Sequence, residues 1–509
     1  MSRRAIGVLL VLLVAGSVSF AAGRQAGGTE EGALSGSIKW VTYHTTNTEN
    51  AYIPTAEAYM RVHPEVKIEI EVIPQQQYYD VIRTQLLSGT APEIVTGKPG
   101  ITDELADKGV VADWEEFIFD DTNPYTGKTF RESIEKGSQD GWRSAQGKIH
   151  MLMYFKTPEA LKQNTTILED NGLSTPKTYR QFMTALQKLK AAGYEAPFPF
   201  QIHKYEGISN LLMVYILDAA WRKEFALVNY DPTNDTWDPT EGDYTDVLRD
   251  AGEVLSSKEK IAAFKSGILD VEGPALVWAK VVESFLPYMP EGLPDYDAVG
   301  QMFWQQKSVF AFEGGYGAAG TLQTLSEMPS NERFDAKMIP FPAIDPSDFP
   351  VLDIPSRIHY TYLGVEISVP ADLAADKVPL VKDFVCYMYS PDGAANMLPV
   401  AWGPPCVKGV ALSGNELMDY MSDAAAVATG FRLDTYDQGG AQQWTDLQHE
   451  LRYGRITPEA WAERYAEITE KEIYDKLIRE TPIDLAAEKE KLNDWVDQLK
   501  AEGYPTEDL

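Results

Sequence analysis

Between Ile38 and Val95 the chain alternates strand and helix periodicity, and that alternation restricts the fold more than any other feature. Ile38-Lys39-Trp40-Val41-Thr42 predicts a first strand, followed by the polar loop Tyr43-His44-Thr45-Thr46-Asn47-Thr48. Tyr52, Ile53, Ala56 and Met60 recur at helical spacing, and His63-Pro64 closes that helix. Val66, Ile68, Ile70 and Val72 then alternate with Lys67, Glu69 and Glu71, the period of a half-buried strand. A second helix is expected from about Tyr78 to Leu87, ending at Gly89, and Glu93-Ile94-Val95 is the next strand. Strands and helices in this order predict a parallel sheet flanked by helices. Ligands of such sheets sit beyond the carboxyl ends of the strands, which directs attention to Tyr43–Thr48 and Thr96–Gly100.

The N-terminus reads as an export signal. Arg3 and Arg4 precede an apolar run from Ala5 to Ala15, and Ser19-Phe20-Ala21 offers small residues at a cleavage spacing, so residues 1–21 are expected to be removed near Ala21. The run is shorter than the roughly 20 residues of a membrane span. Ser2-Arg3-Arg4 also resembles a twin-arginine signal, from which the strongly apolar run and Gly7 depart. No cysteine stands near the cleavage point to carry a lipid, so the periplasm is the expected compartment. Loss of the two arginines leaves 43 basic against 76 acidic residues, a formal charge of −33. That charge excludes nucleic acid and anionic membranes as partners and supports solubility. A chain of 509 residues exceeds one hydrophobic core, so two lobes are expected. Cys386 and Cys406 either pair, closing a loop of about 20 residues worth about 3 kcal/mol, or remain two buried thiols.

His63-Pro64-Glu65-Val66 and Leu87 to Val95; Gly147-Lys148-Ile149; Asn164 to Leu173 with Pro176-Lys177-Thr178-Tyr179; Gln306 to Tyr316; Phe384 to Asn396 with Pro405-Cys406-Val407-Lys408; and Ile456 to Ala460 follow one another along the chain. In that order they resemble the family 1 extracellular solute-binding proteins, the group that includes maltodextrin-binding proteins. The resemblance spans about residues 36–475. It implies an α/β, two-lobed periplasmic-binding-protein fold of type II, each lobe a mixed sheet flanked by helices and joined by a hinge. Lobe I would hold 36–154 and 363–409, and lobe II 155–362 and 410–509, with Tyr154–Pro158 and Tyr360–Val365 as crossovers. It further implies a monomer without a cofactor that delivers a sugar or oligosaccharide to the permease subunits of an ABC importer; glycerol phosphodiesters and other polyols remain open.

The sequence also departs from the family's pattern. Lys162 and Gln163 stand where aromatics are frequent, His150 and Met153 where Tyr and Pro are usual, Tyr316 replaces a frequent Trp, and Trp402-Gly403 is displaced. The chain is also longer, with extra segments expected at Asn229–Asp243, Asp345–Ile358 and a final helix of about 484–502. On that helix Leu485, Leu492, Trp495, Val496 and Leu499 share one face, expected to pack on the body.

Two enzymatic alternatives compete with this reading. The histidines at positions 44, 63, 150, 203, 359 and 449 include no pair at the i, i+4 spacing of a metal-binding helix. Gly315-Tyr316-Gly317-Ala318-Ala319-Gly320 matches a dinucleotide-binding fingerprint, but far along the chain rather than at a domain's start. A secreted glycoside hydrolase needs two carboxylates facing across a cleft, which 76 acids do not exclude, yet no acid lies in a recognisable hydrolase motif. A binding protein needs aromatic faces and hydrogen-bonding side chains that become dry on closure. Candidate contacts are Tyr43, Asn47 and Lys98 at strand ends; Tyr154 and Glu159 at the first crossover; His203 and Tyr205 after Phe198-Pro199-Phe200; Tyr316 at the glycine-rich corner; and Trp402 and Trp444 in late loops or helix starts. Each is equally open to plain packing or solvation. Lys98 and Lys204 are where a phosphate would be met, or are surface charges.

Overall fold

A computed structural model of the chain describes residues 34–98, 101–135, 144, 147–200, 208–221, 224, 263, 265, 267–292, 296–314, 318–356, 358–363, 365–400, 403–410, 427–428, 438–475, 484–501 and 503. The first strand, β1 (Gly36–Thr42), pairs in parallel with β2 (Val66–Val72) and with β3 (Ile94–Thr96). The period-2 pattern decides the faces. Ile38 and Trp40 point to one side, where Trp40 stacks on Tyr52 at 4.4 Å and meets Phe384 edge-on. Val41 and Val95 point to the other, against Tyr78, Ile82 and Leu86 of the helix Gln75–Ser88. That helix covers both residues expected at its ends, Tyr78 and Leu87, and runs slightly past them. A small hairpin, β4 (Thr122–Asn123) and β5 (Lys128–Thr129), packs beneath this lobe.

A second sheet is organised around the ten-residue strand β6 (Phe155–Asn164). It is flanked by β7 (Phe310–Gly314), β8 (Ala336–Ile339) and β9 (Ile358–Leu363), all antiparallel to it. The first sheet is completed by β10 (Ile367–Ser368), antiparallel to β3, and the second by β11 (Val427–Ala428), parallel to β9. The strand orders are β10-β3-β1-β2 and β11-β9-β6-β7, with β8 also on β6. The chain is thus an α/β protein of two lobes. One core draws on residues between Ile38 and Phe155 and again between Val365 and Val407; the other on Leu161 to Ile354 and Trp444 to Leu492. Between them Phe155–Pro158 and Tyr360–Leu363 run side by side as an antiparallel pair.

Local chemistry sets several helix starts. Asn164 accepts from the Ile167 N–H, Thr178 from Gln181, and Thr457 from Ala460 with Pro458 in the first turn. The second core is aromatic: Phe182, Phe198, Phe285 and Phe310 meet edge to face, and Trp278 stacks on Trp461 at 4.4 Å. The extra segment after Asp345 inserts Leu352 and Ile354 into this core, whereas Asn229–Asp243 lies outside the described residues. The last helix, Leu485–Ala501, buries Leu492, Val496 and Leu499.

Two of the candidate contacts lie in the cores. Tyr154 is 0 % exposed, and its hydroxyl donates to the Met388 carbonyl at 2.7 Å within the first core. Trp444 is 1 % exposed, lies inside the helix Gln438–Arg452 and packs near Tyr465 in the second core. Cys386 and Cys406 are both buried and form no disulfide with each other, and burial pushes the Cys386 thiol up to about 12.

A buried histidine gives the fold a pH dependence. Nδ1 of His150 lies 2.8 Å from Thr102 Oγ1, and Ser368 Oγ donates to its carbonyl at 2.7 Å. Burial pushes the imidazole from 6.5 down to about 4, against a smaller upward pull from Asp107. The unfolded chain therefore takes up this proton near pH 6.5 and the folded chain only near pH 4. Its contribution is complete above 6.5 and is lost as pH falls through that window, a loss of about 3 kcal/mol. Melting curves at pH 7 and pH 4.5 should show a smaller acid-induced drop in His150→Gln than in the parent; identical drops would refute this assignment.

Candidate ligand-binding site

At the carboxyl ends of β1 and β3 the chain builds an aromatic shelf. The helix Gln75–Ser88 starts beside these ends and inserts Tyr78 between them. The Tyr78 hydroxyl accepts from the Thr96 N–H at 2.7 Å and lies 3.1 Å from the Val41 carbonyl. This fixes the neighbouring Tyr79. Tyr43, the first residue past β1, stands edge-on to Tyr78 and Tyr79 at 5.2 and 5.5 Å. Its other side meets the His44 ring at 4.1 Å, and His44 meets Tyr52 edge-on. Asn47 is buried with its Nδ2 donating to the Tyr52 hydroxyl at 3.5 Å. Tyr79, Tyr43 and His44 are half-buried, so the shelf keeps part of its area open.

Charge is placed at two points on it. Lys98 follows β3 and holds its ammonium 3.8 Å from the centre of the Tyr79 ring, a cation–π contact. Glu366 follows the other crossover and stands immediately before β10. Its Oε2 lies 3.2 Å from His44 Nε2, with both side chains about one-tenth exposed (9 % and 10 %). Burial, then the Glu366 charge and the Tyr79 hydroxyl, hold the Tyr43 phenol far above its ordinary value, and burial does the same for Tyr52. Both phenols stay neutral at any physiological pH and can act as hydrogen-bond donors.

Packing beneath the shelf is tight. A Cβ on Gly97 would stand 2.6 Å from Ser368 Oγ and 2.9 Å from Met151 Cβ, so only glycine lets β3 lie this close to the segments that carry Glu366 and His150. Tyr43, Asn47 and Lys98 are therefore brought together. Glu159 is placed by its backbone on β6, in register with Gly314. His203, Tyr205, Tyr316 and Trp402 lie outside the described residues. Sequence reasoning did not select Tyr79, His44 or Glu366. The pair Tyr78-Tyr79 at a helix start after a strand was a usable signal, whereas nothing local links Glu366 to His44.

The family model for bacterial extracellular solute-binding proteins matches residues 44–395. The chain belongs to that family. Three solved structures share the solute-binding protein's fold. A probable secreted solute-binding lipoprotein from Streptomyces coelicolor is 15 % identical, with TM-score 0.59 over 85 % of this chain and 98 % of the other. A family 1 extracellular solute-binding protein from Bifidobacterium longum subsp. infantis is 16 % identical, with TM-score 0.58 over 85 % and 98 %. A cyclic alpha-maltosyl-1,6-maltose binding protein from Arthrobacter globiformis is 13 % identical, with TM-score 0.55 over 87 % and 100 %. No curated protein sequence matches the chain.

The dinucleotide reading of Gly315–Gly320 loses its context in this fold. Residues 315–317 lie outside the described residues, and the strand before them, β7, is antiparallel to its neighbour β6, whereas the fingerprint belongs to a parallel strand–helix–strand unit. Among the described residues no helix is long and apolar enough to cross a membrane.

Proposed function

We propose that this solute-binding protein captures a saccharide outside the cytoplasm and presents it to the permease subunits of an ABC importer, without changing the ligand chemically. The aromatic shelf at Tyr43 and Tyr79 carries the reading. Ring faces stack on the C–H faces of sugars, while neutral phenols, Asn47 and the His44–Glu366 pair offer donors and acceptors to hydroxyls. The Arthrobacter relative, named for a cyclic maltosyl-maltose, supports the sugar class. Residues 1–21 act as the export signal, cleaved near Ala21, and the mature chain works in the periplasm as a monomer.

Lobe I, taken as 36–154 and 363–409, supplies the shelf. Lobe II, taken as 155–362 and 410–509, supplies the opposing wall, with Glu159, His203, Tyr205 and Tyr316 as its proposed contacts, while Trp402 is a proposed contact from lobe I. The paired crossovers act as the hinge. Val365, buried at the shelf end of one crossover, has φ of 55°, a left-handed conformation that costs a β-branched residue on the order of 1–3 kcal/mol and is kept only where neighbours impose it. Calorimetric titration against a carbohydrate panel should find one ligand per chain, recovered intact. Tyr43→Ala should weaken that binding by about 1–3 kcal/mol with an unchanged melting profile. Multiple turnovers on a glycoside, abolished by replacing one carboxylate, would establish a hydrolase instead.

A further inference from the structure

Among the described residues, Lys98 is the charge on the shelf that faces no carboxylate; its ammonium meets only the π face of Tyr79 at 3.8 Å. Its own N–H donates to Thr102 Oγ1 at 3.1 Å, and Thr102 Oγ1 donates back to its carbonyl at 2.9 Å, which pins the backbone of the residue. The acid of the site is already engaged, since Glu366 faces His44. In a chain with 76 acids and 45 bases, a half-buried lysine held against a ring without an acidic partner is a place for an acid from outside. One ammonium balances one negative charge. A phosphate dianion is commonly met by a guanidinium fork or by several backbone N–H groups. Here the backbone N–H of Lys98 is already bonded to Thr102.

We propose that the ligand is an acidic saccharide whose carboxylate sits on Lys98 while a ring face lies on the Tyr43–Tyr79 shelf. This rests on the saccharide-binding reading above and narrows it to uronate-containing sugars. A neutral sugar would leave the Lys98 ammonium without a counter-charge on closure, which selects against it.

The test is a calorimetric panel on the full chain. One arm holds glucuronate, galacturonate, mannuronate and their short oligomers; a second holds the same sugars as methyl esters, with glucose and malto-oligosaccharides; a third holds sugar phosphates. A uronate should bind, with its methyl ester about 30-fold weaker. Lys98→Met should remove the same factor for the acid and leave the ester unchanged, Lys98→Arg should retain most of the affinity, and added salt should weaken the acid alone. A neutral sugar or a sugar phosphate bound at least as tightly as any uronate, or an unchanged uronate affinity in Lys98→Met, overturns the carboxylate assignment and leaves saccharide binding intact. If no sugar binds in any arm, both readings fall.

Discussion

Gly393→Ala should destabilise the protein by about 3 kcal/mol, lowering its melting temperature sharply. Gly393 lies in the first turn of the helix Pro391–Met397, where its N–H donates to the capping Ser390 Oγ at 3.2 Å. A Cβ there would stand 2.0 Å from the Tyr387 carbonyl oxygen and 2.9 Å from Met388 Cα. Both obstacles are backbone, so no side chain can rotate aside. Relief requires moving this helix away from the helix Val378–Met388, whose Leu380, Val381, Phe384 and Val385 are buried in the first core. Gly320, exposed in the helix Ala318–Glu327, is the natural control. A Cβ there meets nothing within 4 Å, so Gly320→Ala should gain about 0.5–1 kcal/mol. Equal melting temperatures for the two variants would show that the contact at Gly393 is not as described.

Lys162→Met should cost about 3–5 kcal/mol. Lys162 lies on β6 and Glu313 on the neighbouring β7, on the face opposite Leu161 and Phe312. Their N–O distance is 3.2 Å with the side chains only 3 % and 8 % exposed. The ammonium also sits 4.6 Å from the Trp304 ring centre and 4.9 Å from that of Phe303. Removing the lysine takes away the ammonium that faces the buried Glu313 carboxylate, and the loss of that compensation dominates the cost. Pairing the change with Glu313→Leu should recover a large part of the loss, because two apolar groups of similar volume fill the gap without a charge. A double-mutant cycle with coupling under about 0.5 kcal/mol would contradict an energetically meaningful pair.

The first lobe was readable in the sequence because its strands alternate cleanly. Val66, Ile68 and Ile70 fall on one face of β2 and Lys67, Glu69 and Glu71 on the other, and the parallel register with β1 follows from matching apolar positions. Tyr43 and Lys98 were legible for the same reason, since residues directly past a parallel strand must emerge at its carboxyl end. The burial of Tyr154 and Trp444 was not legible, because it depends on partners far along the chain. The hydroxyl of Tyr154 is satisfied by Met388, 234 positions away, and nothing near residue 154 announces that. Glu366 was missed for the same reason, being 322 positions from His44. Lys162 departs from the aromatic usual at its position in the family, and its reason lies in Glu313, 151 positions on, and in the rings of Phe303 and Trp304.

Under the proposed function, hinge closure is what turns two lobes and a shelf into a carrier. The crossovers Phe155–Pro158 and Tyr360–Leu363 are short and paired to each other, so rotation can be absorbed by a few backbone dihedrals at their ends. A ligand touching both lobes only when they are closed favours the closed form by its difference in affinity for the two states. Small-angle scattering of the mature protein, with and without saturating saccharide identified by titration, measures this directly. The expected result is a smaller radius of gyration in the bound state, with Tyr43→Ala requiring more ligand to reach it. Tight, saturating binding at an unchanged radius of gyration would contradict capture between two closing lobes.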